Sequence, residues 1–270
     1  RSGRDAEERE GRANATPGEG MSAVALEIEA PVARITLNRP EFLNAGDPGW
    51  VAELSDAVAQ VAAAGEGLRV AVVTGSGRAF STGVDLKALA AGAMTLPHFR
   101  AWEDAMTAIE RMPVPFIAAI NGHCLGGGLQ LALVCDYRIA SAEASIGLPA
   151  VKECLIPSMA LYRLPRLIGA ARAAELIITG EPISAARAEE YGLVHRVVPP
   201  IDFAREVDEC VEQFLTLPRT SVAWSKRLMA RAFDLDFDAF RRQMEAGFAE
   251  CLASPEHRAA MDELRHRRRG

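Results

Sequence analysis

Apolar positions change their period several times along this chain, and each change marks an element. From residue 23 they alternate: Val24, Leu26 and Ile28 stand between small or charged residues, as Ile35 and Leu37 do with Arg34 and Thr36. A period of two predicts two half-buried strands, with a turn near Ala30-Pro31. Over residues 50–64 the spacing becomes helical, with Trp50, Leu54, Val58 and Val61 on one face. Asp47 followed by Pro48 is a start signal, a capping carboxylate and then a proline in the first turn. Residues 69–75 and 114–121 are short, almost continuously apolar runs, the pattern of strands covered on both faces. Between them Phe99, Trp102, Met106 and Ile109 mark a second amphipathic helix. Beyond residues 136–140 the chain reads as mostly helical, with breaks at Pro165, Gly180, Pro199 and Pro218. Covered strands alternating with helices predict an α/β core, and the helical stretch from about Asp202 predicts a further layer or small subdomain. No internal repeat is evident.

Composition narrows the class. The 270 residues, 49% hydrophobic and 24% charged, suit one large domain or a domain with a small appendage. Residues 1–20 hold almost no large apolar side chain, so they read as a flexible leader or cloning remnant, with Met21 a natural start. No signal peptide is visible there, and no run approaches the ~20 apolar residues a bilayer crossing needs. A net charge of −6 argues against nucleic acid as partner, and the basic run His266-Arg267-Arg268-Arg269 reads as a solvated tail. The five cysteines (Cys124, Cys135, Cys154, Cys210 and Cys251) form no CxxC pair and no zinc-like cluster. They suggest reduced thiols, a cytoplasmic location and no metal site.

Two stretches concentrate candidate chemistry. Gly75-Ser-Gly-Arg-Ala-Phe-Ser-Thr-Gly-Val-Asp-Leu-Lys87 follows a buried strand and is rich in small residues, so its backbone N–H groups can face an anionic or carbonyl oxygen. Asn121-Gly-His-Cys-Leu-Gly-Gly-Gly-Leu-Gln130 carries a buried strand through three glycines into a helical pattern, where free N–H groups favour developing negative charge. One N–H from each loop would make a two-donor oxyanion hole for a thioester enolate or tetrahedral oxyanion. A dinucleotide site is the competing reading of such turns, but neither loop matches GxGxxG or a P-loop. Tight helix packing alone is a further competing reading of the three glycines.

The ordered series Leu37-Asn-Arg-Pro40, Asn44-Ala45, residues 77–87, Ala119-Ile-Asn-Gly122, Gly126-Gly-Gly128, Cys135-Asp136, Gly147-Leu-Pro149, Leu164-Pro-Arg-Leu-Ile-Gly169 and residues 185–194 resembles the crotonase (enoyl-CoA hydratase/isomerase) superfamily. The likeness runs from about residue 24 to 230. It implies an α/β spiral of ββα units with a C-terminal helical region. The implied organisation is a core over residues 21–200 and a trimerisation region over 201–270, giving homotrimers or dimers of trimers. The implied ligand is an acyl-CoA thioester, with coenzyme A part of the substrate and no permanently bound cofactor. By matching positions, the oxyanion N–H groups fall on Val84 and Gly127. Thr82, Asp85, Leu86 and Lys87 fall near the CoA moiety, and Lys226 is the candidate for a late-helix lysine that reaches a neighbouring subunit's CoA.

Two positions depart from the family. Its hydratases use two glutamates to activate water and protonate the α-carbon; the matching positions here hold Gln130 and Ala150. A carboxamide hydrogen-bonds but takes no proton at neutral pH, and a methyl offers no proton chemistry. Glu153, three residues beyond Ala150, is the nearest carboxylate in sequence and the candidate substitute. Glu103 and Glu110 read as solvated helix-edge residues, His123 as a packing residue, Cys124 and Cys154 as buried and inert, and Asp136 as an acceptor of backbone N–H bonds. The segment Ile156-Pro-Ser-Met-Ala-Leu-Tyr-Arg163 is more apolar, less glycine-rich and slightly shorter than the family's usual, which suggests a changed acyl pocket. The expectation is therefore an acyl-CoA enzyme with non-standard chemistry (decarboxylation, C–C cleavage or hydrolysis included), doubtful as a standard enoyl-CoA hydratase. The alternative is a non-catalytic acyl-CoA binding or carrier protein.

Overall fold

The computed structural model describes residues 22–267; the expected leader, Met21 and the end of the basic tail lie outside the described residues. Two strands, β1 (Val24–Glu29) and β2 (Val32–Leu37), form a hairpin. Helix α1 (Pro48–Ala63) is capped by Asp47, whose Oδ1 accepts from Trp50 N at 2.9 Å. There follow β3 (Val70–Gly75), β4 (Ala79–Ser81), α2 (Leu86–Ala90), α3 (Leu96–Arg111), β5 (Phe116–Ile120), β6 (His123–Leu125) and α4 (Gly127–Leu133). Then come β7 (Tyr137–Ser141), β8 (Ser145–Gly147), α5 (Ala160–Ile168), α6 (Ala170–Thr179), β9 (Ile183–Ser184), α7 (Ala185–Glu190) and β10 (Arg196–Val198). Four helices close the described chain: α8 (Phe203–Leu215), α9 (Arg219–Met229), α10 (Phe237–Ala253) and α11 (Pro255–Arg267).

The strands build two sheets. One has the order β1-β2-β3-β5-β7-β10, parallel except for the hairpin; the other has the order β4-β6-β8-β9, antiparallel only between β8 and β9. The continuously apolar strands are covered on both faces, as their sequence predicted. Ala71, Val73, Ala118 and Ile120 join the main core with Trp50, Leu54, Trp102 and Ile109. Their neighbours Val70, Val72, Ile117 and Ala119 turn to the other face, where α8 supplies Val207, Cys210 and Val211.

Several expectations need correction. Alternation holds in β2, but in β1 only Val24 is buried and Ile28 is exposed, because β1 is an edge strand covered at one end. The chain after residue 140 is mostly helical, as its pattern suggested, but it also carries β8, β9 and β10, which are two or three residues long and too short to show a period. Pro165 does not break the helix and lies inside α5, which ends at Gly169 with φ 82°. The carbonyl that Pro165 leaves without a donor belongs to Leu161, an exposed residue. No helix among the described residues is long and apolar enough to cross a membrane.

Candidate functional site

The strands deliver two loops to one place. After β4, Ser81 to Asp85 run beside the loop that leaves β2. Gly46 N donates to Gly83 O at 2.7 Å and Asp85 N donates to Gly46 O at 2.9 Å, which makes a parallel bridge between Gly46 and Val84. The bridge uses the groups on either side of Val84, so the N–H of Val84 itself points away from Gly46. After β6, Gly126 (φ 53°) is the N-cap of α4, and the first helical bond runs from Gln130 N to Gly126 O at 3.1 Å. The N–H groups of Gly127, Gly128 and Leu129 precede that bond and have no intrahelical acceptor.

The two loops approach so closely that side chains are excluded. A Cβ on Gly83, which also has φ 87°, would stand 2.6 Å from Gly127 N. A Cβ on Gly127 would stand 2.7 Å from the Trp102 ring, and one on Gly128 2.2 Å from Ser81 O. The loop before α1 is held by Asn44, fully buried with φ 56°. Its Oδ1 accepts from Arg39 N, and its Nδ2 donates to the carbonyls of Ser76, Ala79 and Phe80. Arg39 adds ion pairs to Asp47 at 3.0 Å and Asp85 at 3.6 Å.

Between these loops lies a cavity of about 400 Å³. Nine of the ten residues expected in the site line it: Thr82, Val84, Asp85, Leu86, Lys87, Gly127, Gln130, Ala150 and Glu153. The rest of the wall is largely apolar, with Phe42, Phe99, Trp102, Met106, Leu125, Leu155 and Ile156. Trp102 and Met106 carry the same periodic signal as core residues, so sequence alone did not separate them from the core. Ile156 and Ser158 belong to the segment whose composition suggested a changed pocket.

The polar lining residues differ in how far they are committed. Gln130 is 8% exposed, and its Oε1 finds no partner in the chain. Asp85 is the N-cap of α2, accepting from Lys87 N at 2.9 Å and Ala88 N at 3.2 Å besides pairing with Arg39. Its carboxylate is thus engaged in structure, while the Lys87 side chain is exposed at the rim. Glu153 is exposed and has no ion pair or hydrogen bond among the described residues.

Lys226 departs from its expected role. Its ammonium is buried inside this chain and donates to Ile109 O at 3.0 Å, Val114 O at 2.9 Å and Asp136 Oδ2 at 2.7 Å, which uses all three donors. Asp136 Oδ2 also accepts from Phe116 N at 2.8 Å, as expected for a structural carboxylate. Glu103 and Glu110 are not merely solvated: both bind the buried guanidinium of Arg163, at 2.7 and 3.0 Å. Cys154 is exposed, with φ 55°, whereas Cys124 is buried and its thiol pKa is pushed far up by that burial. His123 is half-buried in β6, paired with Ala79 across to β4. Among the described residues no group of three or more His, Cys, Asp or Glu side chains is placed to hold a metal ion.

The family model for Enoyl-CoA hydratase/isomerase matches residues 27–268. The (E)-benzylidenesuccinyl-CoA hydratase of Thauera aromatica is 38% identical, over 80% of this chain and 85% of that protein. The crotonyl-CoA hydratase of Syntrophomonas wolfei is 32% identical, over 91% of this chain and 96% of that one. An enoyl-CoA hydratase from Bacillus anthracis shares the fold with a TM-score of 0.83 at 32% identity, covering 90% of this chain and 96% of that structure.

Proposed function

Because the chain belongs to the enoyl-CoA hydratase/isomerase family, whose proteins act on CoA thioesters, we propose that its cavity binds an acyl-CoA with the thioester carbonyl between the N–H groups of Val84 and Gly127. The convergence of nine expected site residues on one cavity carries this reading. Two fixed N–H donors stabilise an oxygen that gains charge when the thioester becomes an enolate, and losing one such donor typically costs about 2.7–4 kcal/mol. The apolar walls take the acyl chain, and Lys87 at the rim faces the phosphates of CoA.

The proton chemistry differs from that of a two-glutamate hydratase. Hydration needs one group to activate water and one to protonate the α-carbon. Gln130 can hold an oxygen without exchanging a proton, and the Ala150 methyl does neither. We therefore assign this protein to thioester enolate chemistry other than efficient hydration of crotonyl-CoA. The relatives named as hydratases support the ligand class, and residues 130 and 150 mark where this chain parts from the usual mechanism.

Calorimetric titration with crotonyl-CoA and with a longer saturated acyl-CoA, alongside enoyl absorbance, tests both halves. The expected result is binding of both ligands with crotonyl-CoA turnover well below about 1 per second, the lower end of ordinary enzyme rates. No binding of either ligand overturns the acyl-CoA reading. Fast loss of absorbance overturns the argument from Gln130 and Ala150.

A further inference from the structure

The cavity contains two carboxylates, and only one is free to move a proton. Asp85 caps α2 and pairs with Arg39, so its oxygens are occupied. Glu153 has no such engagement among the described residues. It closes a short 3-10 turn, Pro149–Glu153, that carries Ala150 at its second position. A 3-10 helix has three residues per turn, so side chains three apart eclipse one another. Ala150 and Glu153 are three apart, and both line the cavity.

The rest of the turn fixes that orientation. Val151 and Lys152 face away, against α6: a Cβ on Gly180 would stand 3.1 Å from the Val151 side chain and 3.2 Å from that of Lys152. Lys152 also pairs with Glu181 at 2.7 Å. Cys154 N donates to Ala150 O and Val151 O, and Leu155 N donates to Ala150 O at 2.9 Å, which closes the turn under Glu153. One face of the turn is thus anchored to α6, and the other presents a methyl with a carboxylate stacked beside it. On that face Ala150 contributes only a methyl, and Glu153 is the one side chain of the turn with a titratable group that lines the cavity.

We propose that Glu153 is the catalytic base of this site, a carboxylate moved three residues along the turn from where a two-glutamate hydratase carries it. The proposal rests on the acyl-CoA reading above. Glu153 takes a proton from C2 of the bound acyl group. The C2–H electron pair becomes the C1=C2 bond, and the carbonyl pair moves to the oxygen held by Val84 and Gly127 N–H. The resulting carboxylic acid returns a proton to the carbon skeleton and regenerates the thioester. No oxidant or co-reactant enters the balance. One carboxylate that removes and returns a proton suits proton shifts along an acyl chain, while adding water would require a second group.

Deuterium exchange at C2 of butyryl-CoA in D2O, followed by NMR, reads this step without assuming the natural substrate; each event replaces one C2–H by C2–D and releases HOD. The native protein is expected to catalyse exchange, Glu153→Gln to lower its rate about a hundredfold or more, and Glu153→Asp to retain part of it. Calorimetric affinity for butyryl-CoA should stay within about threefold in both variants, because the exposed side chain adds little to binding. Exchange by Glu153→Gln at the native rate overturns the assignment. So does native protein that binds butyryl-CoA without exchange, a result that leaves the acyl-CoA reading intact and favours a carrier. Absence of butyryl-CoA binding overturns both.

Discussion

The two sides of the cavity are made on different principles. On one side Val84 and Gly127 contribute main-chain N–H groups, held by loops packed so tightly that Gly83, Gly127 and Gly128 have no room for a methyl. On the other side Gln130, Ala150 and Glu153 contribute side chains on elements whose backbone does not depend on them. A function made from backbone is lost only when the fold around it changes. A function made from side chains changes with one substitution. On the function proposed above, the comparison describes a chain that would keep the parts for thioester binding while its proton chemistry changes.

The largest effect expected from this contrast is a gain. Replacing Gln130→Glu together with Ala150→Glu installs both carboxylates without touching either loop. Crotonyl-CoA hydration should rise by about 10²–10⁴-fold, the usual worth of positioned acid–base groups, as measured by loss of enoyl absorbance. An unchanged rate in a folded double variant would mean that the side-chain half is not separable from its surroundings.

The opposite side should not tolerate even a methyl. Gly127→Ala drives a Cβ into the Trp102 ring and the Gly83 loop. C2 exchange should fall by about 10²–10³-fold, with a loss of stability of about 1–3 kcal/mol in a denaturant titration. Retention of full exchange would remove Gly127 from the oxyanion hole.

A smaller effect on chemistry is expected from Lys226→Met, which separates scaffold from site. Removing the ammonium takes a shared donor from the half-buried Asp136 carboxylate and from the carbonyls of Ile109 and Val114. Breaking a buried pair in this way costs about 3–5 kcal/mol, visible as a lower unfolding midpoint. Acyl-CoA affinity of the folded variant should be unchanged within about twofold, and a selective loss of binding would restore Lys226 to the ligand site.

The sequence made the long elements legible because burial imposes a period on them: Trp50, Leu54, Val58 and Val61 on α1, and both faces of β3 and β5. The second sheet left little trace. Its strands are two or three residues long and are held by main-chain pairing between distant segments, such as Cys124 with Ile146. In the site, glycine spacing marked both loops, since close approach constrains residue type directly. Lys226 misled, because a lysine at a helix surface and one reaching into the core look alike until the acceptors are placed. Glu153 could be flagged only by proximity; that it eclipses Ala150 depends on a turn geometry no residue type announces.

The Lys226 clamp also bears on how the chain is completed during synthesis. Its partners Ile109, Val114 and Asp136 lie 90 to 117 residues earlier and flank the start of β5. A nascent chain that has released the cavity-forming segments but not α9 therefore lacks the cation that faces the Asp136 carboxylate and the donor to the Val114 carbonyl, while Ile109 O and Asp136 Oδ2 keep only their bonds from Met112 N and Phe116 N. The helix that touches no part of the cavity is the one that must emerge from the ribosome before the sheet beneath the cavity is electrostatically complete.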